Sequence, residues 1–198
     1  MDLVGRVQGI LLKPKEEWAK IKEEPTTIAA LFTSYAVILA AIPAIAGFLG
    51  RSFVGFRAPF VGWIRWGIGR SFIYAIFSFV FSLIGVYIIG LIINFLAPSF
   101  SSKKDNIQAM KLAVYAMTPA WVAGILNIVP ILGILVALAS LYGLYLLYLG
   151  IVTPLLDTPK EKAVIYLVVI IIVSIVVLAI LGVILGAIFS AGYAVRTF

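Results

Sequence analysis

The side chains able to carry chemistry are few and unevenly placed. Of the eight acidic residues in 198, five (Asp2, Glu16, Glu17, Glu23 and Glu24) precede residue 25, and the others are Asp105, Asp157 and Glu161. There is no cysteine and no histidine. Those absences remove disulfides, thiolate ligands and thiol nucleophiles, together with the usual metal ligand and the usual general base near neutral pH. No Walker A loop, serine-nucleophile elbow or dinucleotide fingerprint is present. The sequence therefore predicts no enzyme, no metal and no cofactor.

What remains is arginine, hydroxyls, amides and glycine. Residues 51–70, RSFVGFRAPFVGWIRWGIGR, interleave four arginines with Phe53, Phe56, Phe60, Trp63 and Trp66. That mixture suits a headgroup layer, where amphipathic rings and snorkelling cations both find partners. A connector anchored in one leaflet is the plain reading; a basic, aromatic mouth at Arg57 and Arg65 that recruits an anionic lipid or solute is the sharper one. Further on, Ser71, Tyr74, Ser78 and Ser82 follow steps of three, four and four, giving one polar stripe, with Asn94 beyond it. Such stripes serve helix packing more often than they line a conduit. Pro43 and Pro119 fall inside apolar runs, and each frees a backbone carbonyl that Asn94, Thr118 or Asn127 could satisfy. Gly182 and Gly186 form a G-x-x-x-G, a close-packing signal within or between subunits.

The elements that must hold these residues are transmembrane helices. The chain is 64% hydrophobic and 12% charged, with a mean hydropathy of +1.19, far from the composition of a soluble domain. A spanning helix needs about 20 mostly apolar residues. Five stretches qualify, at approximately 27–50, 68–97, 106–127, 130–153 and 163–190. Asp105 followed by Gln108 has capping-box spacing and starts the third. NIVP, 127–130, forces a hairpin between the third and fourth, and PLLDTPKEK separates the fourth from the fifth. The fold class is an all-α membrane protein: an N-terminal segment, 1–26, followed by a five-helix domain, 27–198. Acidic residues and lysine are absent from the span interiors, with Arg70 and Lys111 near helix starts where snorkelling suffices. This excludes a carboxylate-driven proton pump, an aspartyl intramembrane protease and a metal transporter with acidic or imidazole ligands.

An odd number of spans puts the termini on opposite sides. Ten Lys and Arg lie on the N-terminal side against five (Arg51, Arg57, Arg65, Arg70 and Arg196) on the other, which places the N-terminus in the cytoplasm. Leu3, Val4, Val7, Ile10 and Leu11 make one apolar stripe, ended by Pro14. A second short helix then carries Glu16 and Glu17 in its first turn, with Trp18 and Ile21 on one face. The segment reads as an amphipathic cytoplasmic pair, with Trp18 an anchor in the membrane interface and Trp18–Ile21 a candidate contact face. The net charge of +7 points to anionic headgroups rather than nucleic acid, because no basic soluble domain exists to hold the latter.

Two stretches also resemble a known family. LLKPKEEWAKIKEE, with its leucine pair, proline, acidic residues and tryptophan three before isoleucine, resembles the opening of Yip1-domain proteins. Residues 105–151 resemble that family's central segment through Tyr115 ahead of Thr118-Pro119, the Ile-Val-Pro turn at 128–130, Gly133 and the Tyr142 to Gly150 stretch. Pro159-Lys160 with Lys162-Ala163 fits as well. The resemblance implies five spans and a cytoplasmic N-terminus, of the compact prokaryotic type. Eukaryotic members associate with Rab-type GTPases and with related members in the early secretory pathway. The expected function is a non-enzymatic membrane organiser or interaction scaffold, self-associating or bound to a protein partner. The alternative is a small transporter or channel for a lipid or anionic solute.

Overall fold

The computed structural model describes residues 2–58, 62–152 and 155–190; Phe60, Pro154 and Arg196 lie outside them. Two short helices open the chain, α1 (Leu3–Leu12) and α2 (Pro14–Glu23). The Asp2 carboxylate accepts from Gly5 N at 3.1 Å to cap α1, and Pro14 occupies the first turn of α2, where a missing N–H costs nothing. Five helices long and apolar enough to cross a membrane follow, at Ile28–Val54, Ile68–Phe100, Asn106–Ile128, Pro130–Val152 and Lys160–Ile184. The protein is therefore a multi-pass integral membrane protein.

Three spans are essentially continuous: α5 (Ile68–Leu96), α8 (Gly133–Val152) and α9 (Lys160–Ser190). The other two are interrupted. The first comprises α3 (Ile28–Leu31), a π-helical turn (Phe32–Ala36), α4 (Val37–Leu49) and a second π turn (Gly50–Val54). The third divides at Pro119 into α6 (Asn106–Ala116) and α7 (Thr118–Ala123), ending in a 3-10 turn (Gly124–Ile128). Asp105 caps α6 through Ile107 N at 3.0 Å and Gln108 N at 3.1 Å, as its position predicts. The Gln108 amide does not complete the box; it crosses to α2 and donates to Lys22 O at 3.1 Å. Pro130 opens a 3-10 turn, so the α-helix of the fourth span begins three residues later at Gly133.

The third span is the axis of the bundle. In its most apolar window 67% of residues are buried, against 11% in the fifth, which lies at the periphery. α6 packs on α5 and α8, α7 on α4 and α8, and α9 on α5 and α8. One core runs from Ile10, Trp18 and Ile21 through Leu112 and Val114 to Leu146 and Tyr166. The start of α9 is tied to the end of α5, where the buried Tyr166 hydroxyl donates to Ile93 O and the Tyr166 ring stacks on Phe100 at 4.7 Å. Between the first two spans the chain forms an antiparallel hairpin, β1 (Phe56–Ala58) with β2 (Gly62–Ile64), which pairs Arg57 with Trp63. Helical periodicity gave no hint of these strands. Gly55 turns the chain into the hairpin at φ 90°, and a Cβ there would sit 2.8 Å from Ile64 O, so only glycine fits.

Candidate functional site

Polar side chains gather at two opposite ends of the bundle. At the N-terminal end, α1 and α2 dock over α6, α7 and α8. Arg6 on α1 bridges Glu17 Oε1 at 2.6 Å and also pairs with Glu24, which follows α2. Lys20 joins Glu17 at 3.2 Å. Lys111, only 2% exposed, donates to Ile21 O at 2.5 Å and Glu24 O at 2.7 Å. These are the orphan carbonyls at the C-terminus of α2, where a cation also meets the negative end of the helix dipole. Tyr142 does the same for α1, donating to Leu11 O at 2.9 Å. Lys111 thus does not snorkel: it is buried, and it latches α2 to the axial helix.

Beneath this latch lies an aromatic and hydroxyl relay. The Arg6 guanidinium lies 5.6 Å from the centre of the Tyr115 ring, and both Trp18 (6.3 Å) and Tyr35 (4.7 Å) meet that ring edge-on. The Tyr35 hydroxyl and Thr118 Oγ1 are 2.8 Å apart, and Thr118 Oγ1 donates to Tyr115 O at 2.7 Å. Pro119 cannot donate to Tyr115 O, four residues back, so Thr118 satisfies the carbonyl the proline frees. A cavity of about 200 Å³ opens beside the cluster, lined by Glu24, Thr26, Ser34, Lys111 and Tyr115 among others. Trp18 and Ile21, expected at the membrane interface as an anchor and a contact face, are 0% and 1% exposed. They fill the core against Tyr115 and its neighbours, because burying an indole among apolar groups removes more surface from water than a headgroup layer can.

At the other end, a groove of about 890 Å³ lies between the hairpin, the end of the first span and the 127–131 turn. Arg51, Arg57, Trp63 and Asn127 line it. Arg51 sits over the Tyr74 ring at 4.3 Å, and Trp66 links Phe56 (5.6 Å) to Tyr74 (5.3 Å), edge-on in both pairs. Of the two expected mouth arginines, Arg57 is in the groove, whereas Arg65 turns away to donate to Phe53 O at 3.3 Å. Arg51, which the sequence did not single out, takes the second place.

The remaining candidates scatter. Ser78 bonds back to Ala75 O of its own helix at 3.0 Å, Ser82 is half-buried, and the Ser71 hydroxyl is buried without a hydrogen-bond partner. Asn94 Oδ1 is likewise buried and unpartnered at the far end of α5, remote in sequence from Pro43 and Pro119. Among the described residues, nothing outside their own helix backbone lies within 4 Å of where a Cβ on Gly182 or Gly186 would stand. They make no close packing with another described helix. Among the described residues, no three carboxylates converge in a way that could hold a metal ion.

Signals for the missed residues were present. A lysine inside a span demands a partner, and two short helices end in carbonyls that need donors. Only docking joins the two facts.

The chain is similar to the inner membrane protein YohC of Escherichia coli strain K12, at 26% identity over 127 residues, and equally to the protein of that name from strain O6:H1. Each match covers 63% of this chain and 64% of the relative's own length, so the chain spans less than two thirds of these curated relatives. No solved structure matches it. The family model of the Yip1 domain matches residues 9–191, which take in α2 and all five spans, and the chain belongs to the Yip1 domain family.

Proposed function

We propose that this protein is a non-enzymatic membrane organiser or interaction scaffold, self-associating through its last helix, with its N-terminus in the cytoplasm. One observation carries the reading: the first and third spans, which cross between the two polar ends, meet at a waist there in tight apolar contact. From Tyr35 to Gly47 the first span holds only apolar residues, as does the third from Pro119 to Leu126. The two are packed there so tightly that a Cβ on Gly124 would lie 2.6 Å from Pro43 Cβ. A conduit between these two spans would need a polar or open path at this level, whereas a scaffold needs rigidity there.

Two features of the surface support contact as the activity. The outer face of α2 presents Lys13, Lys20 and Glu16, each about 70% exposed, on helices held rigidly by Arg6 and Lys111. α9 leaves Ile172, Ile175, Val183 and the open positions Gly182 and Gly186 facing outward. The test is oxidative cross-linking of Gly182→Cys in native membranes, in a chain that otherwise lacks cysteine, beside flux through proteoliposomes loaded with salt and labelled lipid. Disulfide-linked dimers with silent vesicles support the scaffold. Flux or scrambling above empty vesicles overturns it.

A further inference from the structure

The groove at the hairpin end has the chemistry of an anion site, and among the described residues no carboxylate side chain neutralises it. All eight acidic side chains lie at residues 2–24, 105, 157 and 161. These positions precede the first span or adjoin the starts of the third and fifth, which places them all at the opposite end. Among the described residues neither Arg51 nor Arg57 meets a carboxylate. A cation held near a bilayer without a counter-charge draws one from its surroundings.

The two arginines are also positioned rather than merely present. The Arg51 guanidinium lies 4.3 Å from the centre of the Tyr74 ring and against Gly47, where a Cβ would come within 2.7 Å of Nη1. The second π turn, closed by Gly55 N donating to Gly50 O at 2.8 Å, contains Arg51. Arg57 enters from the hairpin with its cross-strand partner Trp63, and Asn127 lines the groove from the 3-10 turn that ends the third span. Two planar forks and an amide match the oxygens of a phosphate group, which arginine binds bidentately. Trp63, Phe56, Pro130 and Ile131 supply an apolar wall. The volume of about 890 Å³ exceeds what inorganic phosphate fills and lies within the usual range for an organic ligand. One turn before Arg51, Phe48 begins an all-apolar groove of about 230 Å³ between α4 and α5, lined by Ala44, Phe72, Ala75 and Phe79. An acyl chain could lie there.

We propose that the Arg51–Arg57–Asn127 groove binds a phosphate-bearing anion, and that the phosphate is carried on the headgroup of an anionic phospholipid. This binding does not depend on the scaffold reading, and its test does not involve oligomers or flux.

The purified full chain in neutral detergent is titrated with short-chain phosphatidylglycerol, short-chain phosphatidylcholine and inorganic phosphate. Binding is read from tryptophan fluorescence, with Trp63→Phe locating the signal. Phosphatidylglycerol is expected to bind at least tenfold more tightly than phosphatidylcholine. Arg57→Gln, a change on the exposed hairpin that leaves the bundle intact, is expected to weaken it about tenfold, or about 1.4 kcal/mol. Arg51→Lys, which keeps the charge and loses the fork, should weaken it by a smaller factor. Arg65→Gln should leave it within twofold. Inorganic phosphate that binds and displaces the lipid would support the phosphate site and assign it to a soluble source; phosphate that does neither supports the lipid. Equal binding of the two phospholipids, or unchanged phosphatidylglycerol binding in both Arg57→Gln and Arg51→Lys, overturns the proposal.

Discussion

Replacing Lys111 with methionine isolates the latch between the N-terminal helices and the bundle. Methionine keeps most of the stem volume and removes the ammonium, leaving Ile21 O and Glu24 O without the donor now at 2.5 and 2.7 Å. Two charge-assisted bonds are worth about 1.5–3 kcal/mol each. Against them stands the desolvation of a buried ammonium, several kcal/mol, which the substitution relieves. Gln108, still bonded to Lys22 O at 3.1 Å, keeps part of the cap in place. The net expectation is a loss of about 2–3 kcal/mol in docking, equivalent to a roughly 30- to 150-fold shift toward the undocked form. Ile21→Cys reports it directly, since Ile21 is 1% exposed and the chain has no native cysteine. Maleimide labelling of Ile21→Cys in lipid vesicles should accelerate by that factor when Lys111→Met is added. Labelling within twofold of the Ile21→Cys parent would refute the latch.

Thr118→Val removes the hydroxyl that serves both Tyr35 and the carbonyl freed by Pro119, and should lower stability by about 1–3 kcal/mol in thermal unfolding, with Thr118→Ser restoring most of it. Gly124→Val drives a side chain into Pro43 across the waist and should cost about 1–3 kcal/mol or more, read as a lowered Tm in detergent. Gly186→Leu meets open space, so stability should stay within about 0.5 kcal/mol of the parent while cross-linking at Gly182→Cys disappears.

How much of this was legible depends on the range of the interaction. The five spans follow from runs of apolar residues set by bilayer thickness, a property local to each stretch. Asp105 at the start of α6 and the break at Pro119 are equally local, and so is Thr118, the hydroxyl beside the proline that satisfies the carbonyl it frees. The latch was not legible, because it joins Arg6 to Glu17 and Glu24, and Lys111 to carbonyls 87 and 90 positions away. Trp18 misled for the same reason. A tryptophan on a charged short helix suits a headgroup layer until the helix is seen folded back on the bundle, with its indole against Tyr115. In the groove, arginine and aromatic density marked the region, but the choice of Arg51 over Arg65 depends on how the chain turns at Gly55.

That turn belongs to a wider pattern. Departures from regular helix are concentrated in the first and third spans, which pack together at the waist, while α5, α8 and α9 run unbroken for 29, 20 and 31 residues. Irregular backbone at membrane depth is tolerated only where protein covers it. The two π turns are covered on one face, burying Tyr35 and Ala36 in one and Gly50 and Ser52 in the other. Each closes an i to i+5 bond, Val37 N to Phe32 O and Gly55 N to Gly50 O, and so adds a residue to its turn. With about 100° of rotation per residue, one extra residue re-aims everything beyond it. Tyr35 lies in the first such turn and reaches Thr118, and Arg51 lies in the second and enters the groove. A helix of regular pitch could present one of these residues to its site, but would turn the other away. The two π turns let a single span serve both ends of the bundle, and π turns of this kind are frequent at functional sites.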